Sequence, residues 1–77
     1  MQWQSDIKIL GVCTFSTFGT TWLYFSNAFG IVGWREVIAD PTAENNIVAA
    51  ALAAQYAARK VRLYLDNEGK IYGIQTI

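Results

Sequence analysis

The run Ile47 to Ala58, IVAAALAAQYAA, constrains this chain more than any other stretch. It is helical by propensity and carries one polar residue, Gln55. A surface helix keeps a polar face, whereas a helix that is apolar on every side has to be covered on every side. One small sheet covers only one side, and a second copy of the same chain is the simplest cover for the other. The sequence therefore predicts an obligate homo-oligomer.

Composition agrees. The chain has 77 residues, one domain spanning 1–77, near the size at which a single core is barely sufficient. Its single cysteine, Cys13, closes no intrachain disulfide, and the absence of histidine leaves no structural zinc site. Hydrophobic residues make up 53% of the chain, with a mean hydropathy of +0.22, which is high for a free monomer. Six basic and six acidic residues balance, which argues against a nucleic-acid partner. The one basic cluster, Arg59, Lys60 and Arg62, is better explained by Arg59 and Lys60 complementing the dipole of the preceding helix. The apolar runs are too short to span a bilayer. Met1 to Asp6 does not read as a leader, so the expectation is a cytosolic protein or a mature secreted one.

Elements follow from local pattern. Ile7–Phe18 reads as a strand with a bend at Gly11, Trp22–Ser26 as a second strand, and Ile31–Ile38 as a third with a bend at Gly33. Asp40-Pro41 opens a helix to about Ala58, with Asp40 as N-cap and Glu44 in the first turn. Val61–Asp66 alternates as a strand, Asp66–Gly69 is a turn with Gly69 left-handed, and Lys70–Ile77 is the last strand. The fold class is mainly β with one helix (α+β). The order β-β-β-α-β-β matches a five-stranded OB-fold-like barrel; an unclosed meander plus hairpin on one helix is the alternative.

Within the helix, Val48, Leu52 and Tyr56 form a bulky ridge suited to covering the barrel. Ala50, Ala53, Ala54 and Ala57 form a smooth surface that lets a second backbone approach, the expected oligomer interface. Gln55 either bonds across a symmetry axis, lines a pore, or points to water.

The order of elements and the C-terminal segment ALAAQYAARKVRLYLDNEGKIYGIQTI resemble the B subunits of AB5-type bacterial toxins, in the subtilase-cytotoxin and pertussis-like branch. There a long helix runs at once into a strand of the form Val-Arg-Leu/Ile-Tyr, here Val61-Arg62-Leu63-Tyr64. The resemblance implies secretion, a ring-shaped homo-oligomer, a pentamer, with helices around its pore, a catalytic A subunit as partner and a glycan ligand.

Catalysis is disfavoured. Without histidine no Ser/His/Asp or Cys/His arrangement exists, and there is no P-loop, dinucleotide fingerprint or cofactor motif. Asp66 and Glu68 read as solvated turn carboxylates, and Cys13 as a small buried hydrophobe. Glycan binding requires an aromatic platform beside hydroxyls, and Ser16, Thr17, Thr20, Trp22 and Tyr24 supply both, with Thr21 between them. Trp22 and Tyr24 share one strand face and Leu23 and Phe25 the other, but which face is core stays open. Trp34 with Arg35 and Glu36 is a second candidate, or simply an exposed ion pair beside a packed indole. Two alternatives to glycan binding remain: a small intracellular or phage-encoded oligomer that sequesters a nucleotide-like ligand, and a purely structural assembly protein.

Overall fold

A computed structural model describes residues 1–15 and 19–76. Strand β1 is Gln2–Phe15, β2 Thr20–Asn27, β3 Gly30–Glu36, helix α1 Pro41–Tyr56, β4 Lys60–Leu65 and β5 Ile71–Thr76. The strands form one antiparallel five-stranded sheet in the order β3-β2-β1-β4-β5. The length of β1 makes this order possible: its first part, Gln2 to Lys8, pairs with β4, and its second, Lys8 to Phe15, pairs with β2.

The sequence placed the start of β1 at Ile7, and the structure starts it at Gln2. The polar Gln2–Asp6 segment shows no strand signature of its own; its ladder partners lie in β4. Its register shifts between Gln4 and Ile7, where Asp6 adopts φ 58°. Both glycine bends fall where expected. The β1–β2 register shifts between Ile9 and Gly11, and on β3 the ladder steps from Gly33, at φ 105°, to Ile31.

The expected closed barrel does not form. The sheet's edges, β3 and β5, meet only through an isolated parallel bridge between Val37 and Ile71, where the Ile38 amide donates to the Ile71 carbonyl at 2.8 Å. Further along, the Arg35 side chain reaches the β4–β5 turn: a Cβ placed on Gly69 would lie 2.8 Å from its Nε. A side chain thus occupies the approach between β3 and that turn, in place of ladder hydrogen bonds.

Local chemistry builds the helix ends. Asp40 Oδ1 accepts the Ala43 amide at 2.8 Å, and Pro41 takes a first-turn position. The helix stops at Tyr56 rather than Ala58 because the chain turns left-handed at Ala58, φ 54°. The Arg59 amide then donates to the Ala54 carbonyl (2.9 Å) and the Ala58 amide to that of Gln55 (3.2 Å), a Schellman closure. Arg59 and Lys60 fall beyond this closure, and the last helical turn carries no basic residue.

Packing reverses the expected division of the helix. The residues turned to the sheet are Ile47, Ala51 and Ala54, each nearly or fully buried, while Val48 and Leu52 are half-buried and Tyr56 is 85% exposed. Alanine at 51 and 54 lets the helix sit close to β1 and β5, leaving no room for a bulky ridge. Beneath lie Ile7, Ile9, Leu23, Phe25, Val37, Val61, Leu63 and Ile71. Burying a side chain the size of Phe25 contributes about 2 kcal/mol.

Candidate functional site

Alternation along β2 assigns its two faces. Thr21, Leu23 and Phe25 are buried, so Thr20, Trp22 and Tyr24 stand on the face turned away from the core. Ladder register then brings other strands to the same face: Tyr24 lies between Gly11 on β1 and Trp34 on β3, and Trp22 lies opposite Cys13. The Tyr24 and Trp34 rings sit with centroids 5.1 Å apart, tilted by 45°. The indole reaches across two strands to Gly11, where a Cβ would stand at contact distance, 3.4 Å, from the end of the Trp34 ring. Trp22 Nε1 donates weakly to Thr20 Oγ1 at 3.4 Å.

Cys13, Phe15, Trp22 and Trp34 line an open apolar hollow of about 410 Å³. Trp34 remains 44% and Phe15 46% exposed. Of the residues singled out from sequence, the structure brings Thr20, Trp22 and Tyr24 to this face. Ser16 and Thr17 lie outside the described residues. Trp34 belongs with Tyr24 rather than with an ion pair. Arg35 and Glu36, adjacent on a strand, point to opposite sides, and the ion pair expected between them is absent among the described residues. Glu36 pairs opposite Trp22, and Arg35 turns toward the β4–β5 turn.

A second aromatic group occupies the same sheet surface across β1, β4 and β5. Trp3 and Tyr64 are 5.0 Å apart, the Arg62 guanidinium lies 5.3 Å from the Trp3 ring, and Arg62 Nη1 donates to Gln75 Oε1 at 2.9 Å. The Trp3 ring packs over Gly73, as Trp34 does over Gly11.

The expected helix interface divides. Ala53 and Ala57 are exposed and Ala50 is half-buried, but Ala54 is 4% exposed and belongs to the core beneath the helix. Ala53 and Ala57, with Arg59, Lys60 and Thr76, border a shallow hollow of about 340 Å³ at the helix end. Within the protomer, Gln55 Nε2 donates to the Leu10 carbonyl at 3.0 Å, tying the helix to the β1 bulge.

Asp66 acts within its own turn, Oδ1 accepting the amides of Glu68 and Lys70 at 2.9 Å each. Among the described residues no group of three His, Cys, Asp or Glu side chains is placed to hold a metal ion, and no helix is long and apolar enough to cross a membrane. Compared with known protein families, curated proteins and solved structures, the chain matches none of them.

Proposed function

We propose that this protein is a non-catalytic binding subunit that assembles into a homo-oligomer and recognises a glycan through the aromatic face of its sheet. The observation that carries the reading is the platform of Trp22, Tyr24 and Trp34, outside the core, bordered by the hydroxyl of Thr20. Sugar rings present C–H faces that stack on exposed indoles, and hydroxyl rims that hydrogen-bond to threonine and backbone groups. The half-exposed Trp34 suits the first role.

The OB-type reading of the fold belongs to this proposal. The strand order β3-β2-β1-β4-β5, with its two edges touching in parallel at Val37 and Ile71, supports an incompletely closed barrel of that kind. Assembly is supported by the exposed side of α1, where Ala49, Ala53, Tyr56 and Ala57 offer no charge to water. The resemblance of the Val61–Tyr64 strand and its preceding helix to AB5 toxin B subunits makes a five-membered ring, secretion and an A-subunit partner the form to test. A small oligomer that sequesters a nucleotide-like ligand is the competing reading.

The test is a glycan array followed by titration of any retained sugar against the wild-type chain and Trp34→Ala. Loss of binding by at least about tenfold in the variant, with assembly unchanged, supports the platform. Retention of a nucleotide but no glycan, or glycan binding indifferent to Trp34→Ala, overturns it.

A further inference from the structure

The end of the sheet where the β2–β3 and β4–β5 turns converge forms a second concavity, whose lining includes neither Trp22 nor Trp34. Its volume is about 510 Å³, within the range of small-ligand sites. Half-buried Val32 and Leu65 give it an apolar lining, and Gln2, Gln4 and Arg35 stand among its polar walls. Ile7 and Phe25 lie behind this lining as sealed core residues, 0% and 1% exposed.

Charge around the rim is unevenly committed. Glu68 pairs with Lys70 at 3.6 Å, and Asp66 Oδ1 is occupied by two turn amides. Arg35 forms no ion pair among the described residues; one of its nitrogens, Nη1, donates to the neighbouring Trp34 carbonyl at 2.9 Å. Its side chain passes close to Gly69, where φ is +83° and a Cβ would collide with Nε. A guanidinium with donors left over, beside apolar side chains, is the arrangement that recognises a carboxylate on a compact hydrocarbon body.

We propose that this mouth binds a small organic anion, its carboxylate on Arg35 and its apolar part on Val32 and Leu65. The site shares no residue with the aromatic platform, and the two stand or fall separately.

Hexanoate and its neutral isostere hexanamide, titrated into the isotopically labelled full chain and followed by NMR, test it. Hexanoate is expected to shift the Val32 and Leu65 methyls and the Arg35 Nε–H saturably, leaving the Trp22 and Trp34 indoles unmoved. Hexanamide should bind about tenfold more weakly or worse, because it forfeits a charge-assisted pair. In Arg35→Gln the two ligands should become equal. If that variant does not fold, the wild-type comparison decides alone. Equal affinities in the wild type, shifts confined to the tryptophans, or no saturable shift at Val32 and Leu65 would overturn the proposal.

Discussion

Thr21, buried on β2, donates its hydroxyl to the Glu44 carboxylate in the first turn of the helix. With its proton committed there, its oxygen accepts from the Thr14 hydroxyl, 3.3 Å away on β1. Two strands and a helix start are thereby joined through one side chain that is 1% exposed. Thr21→Val keeps the shape and removes the donor, leaving Glu44 without it. The expected loss is about 2 kcal/mol of unfolding free energy, read by urea denaturation, with little change in spectroscopic helix content.

The helix's C-terminus offers the opposite change. Ala58 holds a left-handed conformation that glycine adopts freely, at a position where helices usually place glycine. Ala58→Gly should therefore stabilise the protein by about 1 kcal/mol despite glycine's flexibility in the unfolded chain. A lowered urea midpoint would contradict the Schellman closure.

The two ends of that helix also show how far sequence reaches. Asp40 and Pro41 announced the start because capping is settled by neighbouring residues. The face turned to the sheet was not legible: an all-apolar helix has no polar stripe to orient it, so whether Ala54 or Tyr56 went inward depended on how much space the sheet left. The same holds for β2, whose alternation was plain while its inward direction waited on the core. Trp34 was missed as a partner of Tyr24, since that contact depends on register across β2 and β3. Arg35 and Glu36 were misread as an ion pair because sequence adjacency on a strand separates side chains.

Gln55 ties α1 to the β1 bulge through the Leu10 carbonyl, a contact made at a partly buried position. Gln55→Leu leaves that carbonyl without this donor, and a loss of about 1 kcal/mol is expected in denaturant titration. If Gln55 instead mattered to assembly, the variant would change oligomeric mass while leaving protomer stability intact.

Position along the helix distinguishes folding from assembly. Ala54→Glu places a charge in the core and should unfold the protomer, whereas Ala53→Glu changes an exposed residue in a helix-tolerant position and should leave it folded. Circular dichroism of the two variants checks this directly: loss of signal only in Ala54→Glu is the expected result.

Assembly through the exposed side of α1 is the claim on which the binding-subunit account rests most heavily, and native mass spectrometry of the wild-type chain beside Ala53→Glu tests it. The account predicts a discrete homo-oligomer, five-membered if the toxin-like ring is right, that falls to folded monomer in the variant. A wild-type chain that flies only as a monomer, or an oligomer untouched by Ala53→Glu, would contradict it.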